Sequence, residues 1–280
     1  MNTETELKLR MKPGELGRLR RHPLLRELRL AAARTRKLRN VYFDTDDLAL
    51  RKKRIALRVR HVGHRRIQTL KAPDTESGGA ALRYREWETA IAGDRPDLDR
   101  IADGELREVL PVSGSEELKE AFVSDITRST VPLVLEDSKI ELAVDTGEIA
   151  TPNGREPVCE AELELKSGRP ARLYELALKL HERVPFTVEY RSKAARGYDL
   201  LLGAKPQPTK AGTVDLSGDL TAWQGFVAIA RQCLQHLRAN EECSRLGEDP
   251  EGVHQLRVGI RRLRAAFSLF RGVLPEEQRQ

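Results

Sequence analysis

Acidic side chains recur at every second position in two segments of the chain, a spacing that places them on one face of a β-strand. The first segment runs from Glu4 to Arg10, where alternate residues are Glu, Glu, Lys and Arg. The second contains Glu160, Glu162 and Glu164, with apolar residues between them. Clustered carboxylates repel one another unless something cationic lies between them. Their oxygen atoms suit Mg²⁺ or Mn²⁺, so the two rows predict a site for a divalent cation.

Basic side chains show the same alternation on other predicted strands. They are Lys8, Arg10, Arg58, Arg60, Lys71, Arg85 and Arg128. Arginine can bind phosphate oxygens through two parallel hydrogen bonds. A divalent cation beside Lys and Arg side chains is the combination of groups that phosphoryl-transfer sites use. The sequence contains no P-loop motif, which excludes a P-loop enzyme, and neither H-E-x-x-H nor G-x-S-x-G marks a zinc site or a nucleophilic serine.

Charges on the face of a strand that would normally be buried constrain the fold. A sheet with one solvated face explains any single strand of this kind. An open sheet of this size is, however, usually covered by helices on that side. The recurrence on strand after strand therefore predicts a closed barrel, with apolar residues pointing outward under helices and charged residues lining a channel. The predicted fold class is α+β, with eight mostly antiparallel strands.

Helices between the strands and at the C-terminus complete the predicted organisation. Apolar spacing predicts helices over Arg18–Arg34, Asp97–Val109, Ser115–Glu120, Pro170–Glu182 and Ser192–Gly203. A stretch rich in Gly, Pro and Thr follows, which is typical of a linker. We therefore expect a domain at residues 1–203, a linker at 204–219 and a short helical region at 220–280.

Composition limits the classes of partner and compartment. The chain carries 49 Lys and Arg against 43 Asp and Glu, and its net charge of +6 fits an anionic partner. Aromatic residues make up only 5%, which argues against nucleic-acid recognition by base stacking. No apolar run approaches the roughly 20 residues of a membrane helix, and no signal peptide is visible. Three cysteines without C-x-x-C spacing disfavour a disulfide scaffold, so a cytoplasmic protein is expected.

Several of these segments together resemble the CYTH superfamily, the triphosphate tunnel metalloenzymes. Glu4-Thr5-Glu6-Leu7-Lys8 matches the N-terminal E-x-E-x-K motif of that family. Asn40–Thr45, Ala56–Arg60 and Gln68–Lys71 follow in the family's order, as do the REWE, VDTGEI, EAELELK and SK segments. The resemblance covers residues 1–203. It implies an eight-stranded antiparallel tunnel that binds a triphosphate through basic side chains and one or two divalent cations through glutamates.

The resemblance also implies roles for individual residues. The expected metal ligands are Glu4, Glu6, Asp145 and two of Glu160, Glu162 and Glu164. Glu162 and Glu164 are favoured, although the extra in-phase glutamate leaves the register open. The residues expected to contact phosphates are Lys8, Arg10, Arg58, Arg60, Lys71, Arg85, Arg128 and Lys193. The expected catalytic set is Glu4, Glu6, Lys8 and Lys193, and the implied reaction is attack of a metal-activated water on the terminal phosphorus.

The inward face of the segment Arg83–Glu88 stays open at this point. Alternation places Arg83 and Arg85 on one face of the strand and Glu86 and Glu88 on the other. A β-bulge would exchange the two faces. The sequence therefore leaves open which pair points into the predicted channel.

A second basic pattern lies on the predicted C-terminal helix. One helical face carries His254, Arg257, Arg261 and Arg264. The segment resembles the opening of a CHAD domain, a helical domain often found behind a CYTH domain, which implies that this face binds polyphosphate. An amphipathic helix with a merely solvated basic edge is the alternative. A neighbouring apolar stripe runs through Leu256, Ile260, Leu263, Phe267 and Phe270. It needs a partner surface, either the N-terminal domain or a second copy of the chain in a homodimer.

The CYTH–CHAD arrangement resembles that of bacterial inorganic triphosphatases, which implies divalent-metal-dependent hydrolysis of inorganic triphosphate to pyrophosphate and phosphate. A class IV-type adenylate cyclase and a thiamine triphosphatase are alternatives, since the motifs contact the phosphates and not the attached group. A non-catalytic polyphosphate-binding module is the alternative from another class, which is disfavoured because carboxylates hinder binding of a polyanion. Because Glu6 and Glu162 are expected metal ligands, Glu6→Gln and Glu162→Gln should each abolish turnover. Relief of like-charge repulsion in the metal-free protein should let thermal stability hold or rise slightly.

Overall fold

In the part of the chain that is described, nine strands form one antiparallel sheet. The computed structural model describes residues 3–73, 82–101, 104, 107, 110–112, 114–216 and 218–274. The strands are β1 Thr3–Arg10, β2 Arg34–Asp44, β3 Ala56–Val62, β4 Arg65–Pro73, β5 Leu82–Ile91, β6 Lys119–Leu135, β7 Ser138–Thr151, β8 Gly154–Ser167 and β9 Thr187–Val188. Their order is β5-β4-β3-β2-β6-β7-β8-β1-β9, and β5 also pairs with β1. The predicted α+β class is confirmed, and the two-residue strand β9 makes the count nine instead of eight.

The register of β1 aligns the two charged rows that the sequence predicted. Lys8 lies opposite Glu162 across the β1–β8 pair, and Glu6 lies opposite Glu164. Residues directly opposite each other in an antiparallel pair share a face. The acidic row of β8 and the mixed row of β1 therefore face the same side of the sheet, called the charged face below.

The described α-helices flank this sheet or follow it. They are α1 Pro13–Arg20, α2 Pro23–Leu28, α3 Ala49–Lys52, α4 Ala171–His181, α5 Lys193–Leu202, α6 Ala222–Leu246 and α7 Pro250–Leu269. Helices α4 and α5 confirm two predicted helices. The single helix predicted over Arg18–Arg34 is wrong, because Pro23 begins a second helix and β2 already begins at Arg34. Proline fits the first turn of a helix but not its interior.

Between β5 and β6, the helix predicted over Ser115–Glu120 is corrected, whereas the helix predicted over Asp97–Val109 is tested only in part and is helical at Gly104 and Arg107. The segment Ser115–Glu120 forms only a 3₁₀ turn at Ser115–Glu117, and β6 begins two residues later at Lys119. The segment Asp97–Val109 contains a 3₁₀ helix at Leu98–Arg100. Most of its remainder lies outside the described residues.

Apolar strand residues point away from the charged face, as the alternation predicts. Leu7 and Leu163 belong to a buried cluster that includes Leu19 of α1 and Leu176 of α4. Leu57 of β3 belongs to a second buried cluster with residues of β2, β4 and β5. The two clusters pack against the apolar face of the sheet, opposite the charged face.

A third buried cluster lies on the charged face and anchors helix α5. The Tyr42 and Phe122 rings stack with centroids 4.5 Å apart, and Tyr198 of α5 packs edge-on against Phe122 at 5.0 Å. The Tyr198 hydroxyl donates to Asp44 Oδ2 at 2.7 Å. The close approach of α5 to β6 depends on Gly197, since a Cβ there would lie 2.1 Å from Phe122 Cε2. These contacts fix the N-terminus of α5, which begins at Lys193, against the sheet.

The residues from Ala204 onward form a separate compact unit. Helix α7 crosses α6 through small residues, since a Cβ added at Gly259 would lie 2.7 Å from Leu237 Cδ2. The predicted linker has no helix or strand among its described residues. It is nevertheless bound to α6, because the Thr209 carbonyl accepts a hydrogen bond from Asn240 Nδ2 at 2.8 Å. Among the described helices, none combines the length and apolar character needed to cross a membrane.

Candidate active site

Three buried carboxylates converge on the charged face of β7 and β8. Asp145, Glu160 and Glu162 each offer one carboxylate oxygen, and these oxygens lie within 4.8 Å of one another. The register explains the convergence, since Asp145 lies directly opposite Glu160 and Glu162 follows on the same face. None of the three residues is more than 7% exposed. We call these residues the acidic trio.

Two basic side chains bridge the acidic trio. Lys193 Nζ lies 2.7 Å from Asp145 Oδ2 and 2.9 Å from Glu162 Oε1, and it also contacts Glu160. Arg128 donates to both Asp145 oxygens, at 2.8 Å from Nε and 2.7 Å from Nη2. Its Nη2 also lies 2.5 Å from Glu162 Oε2. Each member of the trio is therefore paired with at least one cation.

Two more cations complete this ion network. Arg196 is only 1% exposed, and its Nη1 donates to Glu160 Oε2 at 2.7 Å while its Nε donates to Glu156 Oε1 at 2.8 Å. Lys8 pairs with Glu6 on its own strand and lies opposite Glu162. The network thus joins side chains of β1, β6, β7, β8 and α5.

The ion pairs keep both partners charged in spite of their burial. Burial alone raises the pKa of Glu162, but Arg128, Lys193 and Lys8 outweigh it and hold the pKa well below its usual range. Burial alone lowers the pKa of Lys193, but Glu160, Glu162 and Asp145 outweigh it and hold the pKa well above its usual range. Glu162 and Lys193 therefore stay charged as partners of one ion pair at ordinary pH.

A second basic set lies on the charged face of β3 and β4 and is paired with glutamates of β5. Lys71 Nζ lies 2.8 Å from Glu86 Oε2, and Arg58 Nη2 lies 3.5 Å from Glu86 Oε1. Arg60 Nη1 lies 3.8 Å from Glu88 Oε1. The two arginine distances are longer than those between the acidic trio and its cations, and Glu88 is 42% exposed at its side chain. The second set is therefore the more loosely paired and the more open.

Arg60 connects the two basic sets electrostatically. Arg58, burial and Arg128 together lower the pKa of Arg60 to about 10, against the attraction of Glu88. Asn40 orients Arg60, since Asn40 Oδ1 accepts a hydrogen bond from Arg60 Nε at 3.0 Å. Crowded like charges of this kind are relieved by an anion placed between them.

Some predicted site residues lie away from the acidic trio. Arg10 pairs with Glu189 at 3.5 Å and with Glu156 at 3.8 Å. Glu164 pairs with Lys166 at 2.5 Å and takes no part in the trio. The structure therefore groups Glu160 and Glu162 with Asp145, whereas the sequence favoured Glu162 and Glu164.

Two predicted residues, Glu4 and Arg85, have side chains outside the described part of the structure. The backbone of β5 places Arg85 opposite Ala72 and Glu86 opposite Lys71. Because opposite residues share a face, Glu86 lies on the face of Lys71 and Arg85 does not. The open question of the inward face of this segment is thus answered in favour of the glutamates.

Sequence reasoning missed Arg196 and left Glu86 and Glu88 undecided. A sequence signal existed for Arg196, which follows Lys193 by three residues, the spacing that places two side chains on one face of a helix. Glu86 and Glu88 are placed by the structure, in which Trp87 between them packs against the apolar cluster of β2–β5, so that its neighbours in the strand face the other side.

The basic face predicted on α7 is exposed to solvent. Arg257, Arg261 and Arg264 line a cavity of 370 Å³ together with Ile260. His254 is exposed as well. The apolar stripe is only partly covered, since Ile260 is 49% exposed, and the buried residues of α7 are instead Gly252, Gln255, Gly259 and Ala266.

Comparison with known families agrees with this geometry. The model of the CYTH domain matches residues 2–198. The chain belongs to the CYTH domain family. The model of the CHAD domain matches residues 228–280, so a CHAD segment follows the CYTH domain. The resemblance stated from the sequence motifs is confirmed for both.

A relative of this CYTH protein is named an inorganic triphosphatase of Haemophilus influenzae. The two are 30% identical over 195 residues, which make up 70% of this chain and 52% of the relative. The chain thus spans about half the length of that relative.

Solved structures similar to the CYTH protein have low sequence identity to it. A Hippeastrum protein described with a dominant triphosphatase activity has 20% identity, a TM-score of 0.47, and covers 73% of this chain and 98% of its own. The PH1819 protein of Pyrococcus horikoshii has 20% identity, a TM-score of 0.43, and covers 72% of this chain and 99% of its own. The family assignment rests on the domain match and not on these structures.

Proposed function

We propose that the chain hydrolyses inorganic triphosphate to pyrophosphate and phosphate in a reaction that needs Mg²⁺ or Mn²⁺. The observation that carries this proposal is the buried acidic trio directly beside two sets of Lys and Arg side chains. Oxygen ligands for a hard cation and cationic side chains for phosphate are the two components of metal-assisted phosphoryl transfer. The name and the similarity of the Haemophilus influenzae relative support the same substrate.

The acidic trio fits a divalent cation by its chemistry and spacing. Asp145, Glu160 and Glu162 would hold the cation, and Glu6 is the nearby carboxylate on β1 that would join them. The cation, when bound, adds positive charge beside the phosphate oxygens and makes a water molecule a stronger nucleophile. Arg58, Arg60, Lys71 and Arg128 would bind and orient the phosphates and neutralise charge that develops on their oxygens.

The balance of charge in the ion network supports joint binding of metal and phosphate. The five carboxylates Glu6, Asp145, Glu156, Glu160 and Glu162 are matched by the five cations Lys8, Arg10, Arg128, Lys193 and Arg196. A divalent cation added to this balanced network leaves the network with excess positive charge. A triphosphate anion compensates that excess, so each ligand favours the other.

A closed tunnel is the form of the sheet that best serves this function. Strand β5, at one end of the strand order, pairs through Leu82–Arg85 with Thr3–Glu6 of β1, the strand next to the other end, which supports closure. The aromatic cluster of Tyr42, Phe122 and Tyr198 would seal one end of its interior. Exclusion of water from the interior would strengthen the electrostatic interactions of bound phosphates.

Parallel assays of phosphate release distinguish this proposal from its alternatives. The substrates are tripolyphosphate, ATP and thiamine triphosphate, each with Mg²⁺, with Mn²⁺ and with EDTA. We expect tripolyphosphate to give the highest kcat/KM, and EDTA to abolish turnover. A preference for thiamine triphosphate, or formation of cyclic AMP from ATP, would replace the proposal by the corresponding alternative. Full turnover in EDTA would exclude the metal role.

A second candidate function is the binding of long polyphosphate by the basic face of α7. The observation that favours it is the exposure of Arg257, Arg261 and Arg264 around one cavity. We further propose that residues 1–203 act as the catalytic domain, that 204–219 connect it to residues 220–280, and that the protein works in the cytoplasm. The three unpaired cysteines support that compartment. A homodimer through the C-terminal helices stays a prediction.

A further inference from the structure

Among the described residues, an arginine on the charged face of β2 has no counter-ion. Arg36 is exposed and makes no hydrogen bond or ion pair with its side chain in the described part of the structure. The sequence did not single out Arg36, because the basic residues of Arg34–Arg39 fall on both faces of the strand. The strand pairing supplies the missing information about its face.

The register of β2 places Arg36 within the basic lining of the candidate active site. Arg36 lies directly opposite Arg128 across the β2–β6 pair. Residues in that relation share a face and have Cβ atoms about 4.5–5.5 Å apart. Across the β2–β3 pair, Asn40 lies opposite Arg60. Strand β2 therefore connects the basic set of β3 and β4 to Arg128, and Arg36 lies on the face that they share.

Arg36 and Arg128 differ in what balances their charge. Arg128 is held by Asp145 and Glu162, whereas no carboxylate approaches Arg36 among the described residues. Like charges directly opposite each other on a sheet are destabilising. An anion that contacts both arginines removes this penalty, and a phosphate group with several free oxygens is suited to do so.

The position of Arg36 along β2 corresponds to the open end of the site. On the charged face of β2, Leu38, Asn40 and Tyr42 are buried, and Tyr42 lies in the aromatic cluster with α5. Arg36 precedes them and is exposed. An organic group attached to a triphosphate must therefore lie toward Arg36 and away from the buried cluster.

We propose that Arg36 is a further substrate-binding residue that receives the phosphate at the open end of a linear triphosphate. This inference rests on the proposed function of the site. A terminal phosphate is more highly charged than a phosphate esterified to a nucleoside, so Arg36 favours inorganic triphosphate over a nucleoside triphosphate. The alternative is an arginine that is only solvated.

The matched control for this inference is the next residue in the chain. Lys37 is also exposed and cationic and makes no described ion pair, but it lies on the opposite face of β2. Arg36→Gln should raise KM for tripolyphosphate roughly tenfold, the effect of losing one charge-assisted hydrogen bond, with little change in kcat. Lys37→Gln should leave KM within about twofold, since its charge change is the same but acts from the other face.

Two further measurements keep the test decisive. Arg36→Lys keeps the charge and should recover part of the affinity for tripolyphosphate. In Arg36→Gln, the inhibition constant of ATP should change less than the KM for tripolyphosphate. If the wild-type chain does not hydrolyse tripolyphosphate, the proposed function fails, and equilibrium binding of tripolyphosphate at low salt then tests Arg36 separately. Equal values for Arg36→Gln and Lys37→Gln, of KM or of this binding constant, overturn the inference.

Discussion

At the scale of single residues, the carboxylates of the site are paired with cations and do not simply repel one another. Lys193 contacts all three members of the acidic trio, and Arg128 contacts two of them. Removal of one partner from a buried ion pair leaves the other charge uncompensated, at a cost of about 3–5 kcal/mol. The expectation that loss of a carboxylate preserves or raises stability is therefore reversed by the structure.

Lys193→Gln tests this role of the ammonium group. We expect the free energy of unfolding in EDTA to fall by about 3–5 kcal/mol, because Asp145, Glu160 and Glu162 lose the cation between them. Mg²⁺ should then raise the melting temperature of the variant more than that of the wild type. Lys166→Gln is the control, because Lys166 is 46% exposed in its pair with Glu164 and should contribute at most about 1 kcal/mol. Equal melting temperatures of the two variants in EDTA would contradict the bridging role.

Glu162→Gln tests the other side of the same pairs. We expect phosphate release from tripolyphosphate to fall by more than about 100-fold, and the melting temperature in EDTA to fall as well, since Arg128 and Lys193 lose a carboxylate. Glu148→Gln, in an exposed pair with Arg155, should change neither quantity. A variant that melts higher than the wild type would show that repulsion dominates after all. Near-normal, metal-dependent turnover would remove Glu162 from the site.

At the scale of elements, the alternation of charged and apolar residues in the sequence predicts where strands lie but not how neighbouring strands pair. The rows of β1 and β8 are visible in the sequence because charged and apolar residues alternate strictly there. The start of β2 is hidden, since Arg34, Arg36, Lys37 and Arg39 place basic residues on both faces. The inward face of β5 depends on its pairing with β4, which no local pattern records. Which strands pair depends on residues that are far apart in the sequence, so this part of the site could not be predicted.

The close packing of α5 is an element-scale feature with a direct test. Gly197→Ala should destabilise the protein by about 1–3 kcal/mol, because the added Cβ would meet the Phe122 ring at 2.1 Å. Turnover should fall too, since α5 carries Lys193 and Arg196. The control is Gly14→Ala in α1, where the added Cβ meets nothing within 4 Å and replacement of glycine in a helix is stabilising by about 0.5–1 kcal/mol. A Gly197→Ala variant as stable and active as Gly14→Ala would show that α5 does not need this contact.

At the scale of the whole molecule, the two compact units carry basic groups in different states. In the unit that ends at Gly203, the described basic residues of the site other than Arg36 are paired with carboxylates and partly or fully buried. On α7, Arg257, Arg261 and Arg264 are exposed and have no ion pair among the described residues. Paired, buried charges suit a site that orders a short substrate together with a metal. Exposed, unpaired charges suit salt-sensitive binding of a long polyanion.

This difference predicts that the two activities can be separated in the intact chain. The triple variant Arg257→Gln, Arg261→Gln, Arg264→Gln should bind long-chain polyphosphate roughly tenfold more weakly at low salt, with a shallower salt dependence, because exposed ion pairs are individually weak and screened. Its kcat/KM for tripolyphosphate should stay within about twofold of the wild type, because no α7 residue belongs to the ion network.

The control is a second triple variant with the same change of net charge at scattered exposed sites, namely Lys12→Gln, Lys139→Gln, Lys179→Gln. If both triple variants lose the same affinity for polyphosphate, net charge alone explains binding and the basic face of α7 has no specific role. If the α7 variant instead loses tripolyphosphate hydrolysis while it remains folded and responds to Mg²⁺, the two units do not divide the work in this way.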